Sequence, residues 1–486
     1  MIRQLVKIIL CSLLFCAGIF PANAEVRLND IHSQLNTTQV DHVFTPKTIS
    51  EIQSLIRKAK ENGKSISISG GKHSMGGQQF GAGTIHINMS SFDKVIDLNA
   101  EKGIVEVQSG IQWPALIDWL LKNQKGQKQI WGIRQKQTGA DRLSIGGALS
   151  SNIHGRGLRM RPVIDDVESF TIIDANGEVK VCSRTENANL FRLTIGGYGL
   201  FGVIGNVRLR LAPVTTLQRV VQLIDVKDFI PLVRERVKEG FLYGDFQFAI
   251  DPTSNEFMKR GIYSLYKPVH GHVKGGHEQK ELKKEDWNML MELAHTHKSK
   301  AFDMYAKFYL SSNGQFYRSD THQMGVYIDN YHRTFDPKAS EMISEIYVPR
   351  LKLTLLFDQL RKDFRKYDVN VVYGTVRLIE KDDESFLAWA KQNYACIVFN
   401  FHVDHTPEGI EKAKKHFQLL IDGALKHGGS YFLTYHRWAR KDQVLKAYPQ
   451  FVEFLKMKKK YDPDEVFQSD WYRHYREMFR RELALQ

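Results

Sequence analysis

Residues 65 to 78 read SISISGGKHSMGGQ. Alternating Ser and Ile have the period of a strand with one buried face, and the run stops on two glycines. Backbone without Cβ atoms at a strand end can turn several N–H groups onto one anion. Ser69, Gly70, Gly71, Lys72, His73 and Ser74 therefore form a candidate phosphate loop with a histidine at its rim. Glycine recurs in Ser144-Ile145-Gly146-Gly147 and in Asn152-Ile153-His154-Gly155. Together the clusters imply a large anionic cofactor, with Ser144, Gly146, Gly147, Asn152 and His154 as further contacts. The residues alone leave a plainer reading open, in which the glycines are turns and His73 lies on the surface.

One literal motif is set aside. Gly197-Tyr198-Gly199-Leu200-Phe201-Gly202 matches GxGxxG, but VIGNVRLRL follows it. That segment reads as a strand where a dinucleotide fingerprint requires a helix, so NAD is not expected.

Around these loops the pattern predicts a helix in FTPKTISEIQSLIRKAKENG, capped by Thr48 or Ser50, and short strands in GTIHINM, KVIDLN and GIVEVQSG. A second helix, IQWPALIDWLLKN, carries Trp113, Leu116, Ile117 and Leu120 on one face. Pro213 ends the glycine-rich half, and longer helices with aromatic strands follow. Strands come in clusters without regular βαβ alternation, which predicts an α+β fold. The expected organisation is a cofactor domain over 25–213, a substrate domain over 214–440, and a segment over 441–486 that folds back. A hydrophobic content of 42% with 25% charged residues is that of a globular chain, not a disordered one.

The first 24 residues pair Arg3 and Lys7 with an apolar run from Ile8 to Phe20 and then Ala22-Asn23-Ala24. This is the layout of a secretory signal, with a mature chain from Glu25 in the periplasm or outside the cell; a retained N-terminal anchor is the alternative. There is no twin arginine, so cofactor capture is expected after export. Beyond the signal only Cys182 and Cys396 remain, each in an apolar strand-like stretch, and two buried thiols are expected. The net charge of +14 includes Arg3 and Lys7. The basic clusters are interleaved with acids, which argues against nucleic acid and for at most a peripheral membrane contact. His270, His272 and His277, with His295 and His297, have no carboxylate at ligand spacing, so no metal is expected.

From Phe44 to Pro213 the chain resembles the FAD-binding domain of the vanillyl-alcohol oxidase/p-cresol methylhydroxylase (PCMH-type) flavoproteins. The matching pieces stand in family order: FTPKTISEI, SGGKHSMGGQ, VQSGIQWPALIDWLL, SIGGALSSNIHG, DANGEV and FRLTIGGYGLFGVIGNVRLRL. The resemblance implies two α+β subdomains holding FAD, plus a cap domain on an antiparallel sheet with helices. It implies pyrophosphate on the first loop, Ile204 among the cofactor contacts, and covalent FAD on His73. Lys72 stands where covalent members commonly have glycine, and IGGALSSNIHG is most similar to decaprenylphosphoryl-ribose oxidases, whose flavin is not covalently held.

The later half resembles aldonolactone and alditol oxidases through SEIYVPR, TVRLIEKDD, CIVFNFHVDH and YHRWARKDQVLKAYPQF. Arg377 falls on an arginine those enzymes place near the flavin. Thr375 stands where they often have glutamate, and Tyr435 where they often have lysine. Oxidation of an alcohol by flavin needs a group to take the hydroxyl proton, and His402, Tyr435 and His436 are the candidates. The implied activity is oxidation of a sugar, polyol or lactone with oxygen or a quinone as acceptor. Cytokinin-dehydrogenase-like amine oxidation, or flavin binding without turnover, is the alternative.

Overall fold

The computed structural model describes residues 26–269, 280–325 and 338–484. The expected signal and the histidines at 270, 272 and 277 lie outside the described residues. The architecture is mixed helix and sheet, an α+β fold.

Among the described residues, the glycine-rich half holds a three-stranded and a five-stranded sheet besides two two-stranded ones. In a three-stranded parallel sheet, Ile85–Asn88 lies between His42–Phe44 and Ile66–Ser69. The helix Ile49–Glu61 buries Ile52, Leu55, Ile56 and Ala59, and the Thr48 hydroxyl caps it by accepting from Glu51 N at 3.2 Å. An antiparallel sheet runs in the order Val179–Ser183, Val167–Ile173, Val203–Arg210, Ile104–Gln108 and Val95–Asn99. VIGNVRLRL is thus a central strand, which removes the dinucleotide reading on geometric grounds.

The later half is built on an eight-stranded antiparallel sheet. Its middle carries Tyr243–Phe248, Val371–Ile379, Tyr394–Asp404 and Ala339–Pro349 side by side. Alternation along these strands sends every second residue to one face, and that face forms the wall of the site described below. The helices Lys284–Thr296 and Lys298–Ser311 contribute further wall residues.

The chain end closes on the first half. Ile66 N donates to Val466 O at 2.6 Å and Gln468 N to Ile66 O at 2.8 Å, which adds a strand edge beside Ile66. The turn before it is held by Asp462, whose carboxylate accepts from Val466 N and Phe467 N and pairs with the buried Lys458 ammonium. Cys182 and Cys396 are free and buried.

Candidate functional site

The loop after Ile66–Ser69 is aimed from behind. His86, on the neighbouring strand, bonds Ser67 Oγ at 2.9 Å and Ser69 Oγ at 2.8 Å. Burial holds its pKa down to about 3, so a neutral ring clamps both serines. The loop then meets the segment Arg142–Gly147 at a distance that excludes side chains. A Cβ on Gly70 would sit 1.9 Å from Ser144 Oγ, and one on Gly71 would sit 2.4 Å from the Arg142 carbonyl oxygen. Ser144 caps the helix Ile145–Ser151, its hydroxyl accepting from Gly147 N, and Gly146 has room for no Cβ against Ser109. Lys72 has φ of 59°, a left-handed conformation that glycine adopts without strain.

These segments line a cavity of about 1020 Å³. Ser69, Gly70, Gly71, Lys72, His73, Ser74, Ser144, Gly146, Gly147 and Ile204 all lie in its wall. So do Tyr198, Gly199 and Gly202 from the stretch set aside as a false fingerprint. A backbone-lined cleft next to a helix N-terminus suits a pyrophosphate. Its bare glycines and the unpaired Gln79 Oε1 fit a polar, phosphate-bearing ligand such as FAD.

His73 is pinned by a segment that sequence reasoning passed over. Asp30 gathers His32 N, Ser33 N, Ser33 Oγ and Asn36 Nδ2, Asn36 Nδ2 also donates to Met75 O, and Ile31 N donates to Lys72 O. This latch brings His32 Nε2 to 2.7 Å from His73 Nδ1, while His73 Nε2 has no well-aligned partner. Burial, then His32, hold the His73 pKa well below its usual value, so the ring is neutral.

A second cavity, about 1340 Å³, opens from the first. His32, Gln137, Ala140, Ile343 and Tyr435 belong to both walls. Beyond this junction the chamber is faced by Glu345, Arg377, Tyr373 and Asn400 from the large sheet, and by Trp287, Leu290, Met291 and Phe302 from the two helices. Strand register explains the polar set. Glu345 pairs across Val398 with Thr375, and Tyr347 across Cys396 with Arg377. The Thr375 hydroxyl donates to Phe246 O, and Glu345 places a carboxylate two strands over in the same row.

Glu345 is buried, with one oxygen doubly hydrogen-bonded and the other held only at long range. One oxygen accepts from His154 Nε2 at 2.8 Å and from Tyr347 OH, and the other faces Tyr435 OH at 3.4 Å. Burial acts to raise its pKa, but His154, Tyr347 and Arg377 outweigh it, and the net shift is downward, so the group is ionised. Tyr435 OH accepts from Gln137 Nε2 at 2.8 Å, and burial with the Glu345 charge raises its pKa far above that of a free phenol. Arg377 is buried in the same wall and its Nε makes no hydrogen bond. Glu345, Gln137 and His32 are the site residues the sequence reading lacked. Glu345 stood inside the quoted SEIYVPR, and only its strand partners reveal which way it points.

Four expected site residues lie outside both cavity walls. Asn152 takes a left-handed φ of 49° and its amide donates to Asp382 and Ser385, so it ties two halves of the chain together. His154 stands behind Glu345, tilted against Trp389. His402 shares the sheet face but lies beyond Asn400, bonded to Glu341 at 2.8 Å; this bond raises its pKa and favours a charged ring over a free base. His436 is in the core against Phe417, between Tyr431 and Trp438, and burial lowers its pKa to about 3.

Two family models match the chain: an FAD binding domain over residues 40–183 and D-arabinono-1,4-lactone oxidase over residues 276–475. A D-arabinono-1,4-lactone oxidase of Yarrowia lipolytica is 27% identical over 40% of this chain and 35% of its own length. L-gulonolactone oxidase of Bos taurus is 26% identical over 40% of this chain and 43% of its own. Cytokinin dehydrogenase 2 of Arabidopsis thaliana is 31% identical over 36% of this chain and 34% of its own. The aligned stretch thus spans less than half the length of these relatives. The chain belongs to the PCMH-type FAD flavoprotein superfamily, and its cofactor is FAD.

The burial of His436 has a pH signature. With a folded pKa of about 3 and an unfolded value of about 6.5, the unfolded chain takes the proton first as pH falls. Its contribution to stability is complete above about pH 6.5 and declines below it by up to about 1.4 kcal/mol per pH unit. His436→Phe is expected to flatten the acid side of the unfolding-midpoint profile and leave the rate of flavin reduction unchanged. Melting curves between pH 4 and 7 check the first part, and anaerobic stopped-flow absorbance checks the second.

Proposed function

We propose that this superfamily member is an exported oxidoreductase that oxidises an alcohol carbon of a sugar-like, polyol or lactone substrate. The observation that carries this reading is the junction, where the cofactor cavity opens on a chamber holding a buried carboxylate, a phenol and an arginine within one wall. Bound FAD would supply the hydride acceptor there and be reoxidised by oxygen or a quinone. Ser69, Gly70, Gly71, Ser144, Gly146 and Gly147 would hold it through backbone and small polar groups, with Ile204 against it.

The chain's own groups divide the remaining work. The ionised Glu345 accepts a hydrogen bond from the substrate hydroxyl and takes its proton as the C–H bond breaks. Tyr435 stays protonated over any working pH, so it donates to Glu345 and orients it, held in turn by Gln137. Arg377 balances negative charge that develops in this dry wall. The neutral ring of His73 keeps a nitrogen lone pair, the state that a covalent bond to the flavin requires, and His32 occupies the other nitrogen. An enzyme exported to a place with little free FAD would gain from that bond, because occupancy of a dissociable cofactor follows free ligand over dissociation constant.

A second reading has an observation in its favour. Trp287, Leu290, Met291, Phe302, Phe248 and Ile250 make much of the chamber apolar. An amine bearing an apolar group, as in cytokinin-dehydrogenase-like oxidation, suits that wall better than a small polyol does. Anaerobic bleaching of the flavin by a panel of lactones, polyols and N6-alkyl purines tests both. Bleaching by a lactone or polyol supports the alcohol reading, bleaching by the purines alone replaces it with the second, and bleaching by none refutes both.

Two outcomes follow for variants. Glu345→Gln is expected to slow flavin reduction by about 10²- to 10³-fold with FAD retained; an unchanged rate removes Glu345 as proton acceptor. After acid precipitation the yellow colour is expected in the pellet for the wild type and in the supernatant for His73→Ala. A yellow wild-type supernatant refutes the covalent link.

A further inference from the structure

The fold brings to His295 a carboxylate and a second imidazole that lie far from it in sequence. Glu341 and His402 are register partners on adjacent strands, and His295 reaches them from the helix Lys284–Thr296. We propose that His295, Glu341 and His402 form a divalent-metal site, for a borderline ion such as Zn²⁺, behind the part of the substrate chamber that His295 lines.

The ligand atoms are already gathered. One nitrogen of each ring and one oxygen of the carboxylate lie within 4.8 Å of one another. His402 Nδ1 is 2.8 Å and His295 Nε2 3.3 Å from Glu341 Oε1. Bonds of about 2.1 Å at tetrahedral angles put neighbouring ligand atoms about 3.4 Å apart, so small shifts admit an ion. The two rings stand edge to face, 5.2 Å apart at 79°, and approach the carboxylate from different directions.

Two further observations point the same way. His402 turns its other nitrogen to Asp404 Oδ1 at 3.4 Å, the outer carboxylate that orients metal-bound histidines. Glu341 Oε2, the oxygen that neither ring reaches, is buried with no hydrogen-bond partner, and an ion held by both oxygens of the carboxylate would satisfy it. Lys298 also acts on this carboxylate, but its ammonium is bonded to Ala294 O, Asn370 Oδ1 and Val371 O. The other such grouping among the described residues, His154 with Glu345 and Cys396, is wholly buried and its carboxylate is already bonded to Tyr347 and Tyr435.

Two imidazoles and one carboxylate leave a tetrahedral ion one open position, as in catalytic rather than structural zinc sites. His295 belongs both to the cluster and to the chamber wall, so that position is next to the substrate space. The chemical role is to bind a substrate oxygen and fix its orientation.

The test uses the holoprotein, stripped with a chelator and dialysed against micromolar ZnCl₂. Zinc content by mass spectrometry and affinity by competition with a chromophoric chelator are measured for the wild type, His295→Ala, His402→Ala, Glu341→Gln and Asp404→Asn. His427→Ala, at a half-exposed histidine bonded to Gln359, is the control. About one zinc per chain is expected in the wild type and the control. Affinity should fall at least tenfold in the three ligand variants and about tenfold in Asp404→Asn. Flavin content and melting temperature identify any variant that has not folded, and the isosteric Glu341→Gln then carries the comparison. A wild type that retains no zinc, or folded ligand variants that bind it as the wild type does, overturns the proposal.

Discussion

The site depends on two stretches of backbone approaching more closely than any side chain allows. The Arg142 carbonyl and Ser144 occupy the space that Cβ atoms on Gly71 and Gly70 would need. That contact sets the floor of the cofactor cavity, and the elements around it serve to hold it. His86 fixes the strand that leads in, the chain end adds an edge at Ile66, and the Asp30 latch fixes the loop beyond Lys72. Distant parts of the chain therefore converge on one loop. Changes in the latch or at Asp462 would act on the cofactor through the position of that loop.

Electrostatics then divide the molecule between the two cavities. The cofactor side is lined by backbone, hydroxyls and neutral histidine, which can face a polyanion without a dense cationic wall. The chamber side concentrates its charge in Glu345 and Arg377 and leaves the rest largely apolar. A buried carboxylate kept ionised by His154, Tyr347 and Arg377 retains a fixed charge at the junction. The shared residues Gln137 and Tyr435 connect that charge to the cofactor side.

What could be read from the sequence was what is local. The loops 69–74 and 144–147 and the strand after Gly202 are each specified by a few consecutive residues, and each lies where its pattern implied. Asn152 misled because an asparagine in a left-handed turn resembles a phosphate loop until its bonds to Asp382 and Ser385 are seen, more than 200 residues away. Glu345 and Glu341 were hidden for a related reason. Their direction follows from strand alternation, but their neighbours follow from register, which pairs them with residues some 50 to 60 positions later. His436 has the chemistry of a proton acceptor, but Phe417, from the helix Pro407–Lys426, closes over it together with Tyr431 and Trp438 of its own stretch.

Whether a bare-backbone cradle holds FAD against a separate reacting chamber is read from the cofactor content of Gly71→Ala. Gly423→Ala is the control, because its added Cβ would meet only movable side-chain ends of Leu356, Leu360 and Gln359. About one FAD per chain is expected in the wild type and in the control, and little in folded Gly71→Ala, whose Cβ would strike the Arg142 carbonyl. Full FAD occupancy in Gly71→Ala would contradict such a cradle.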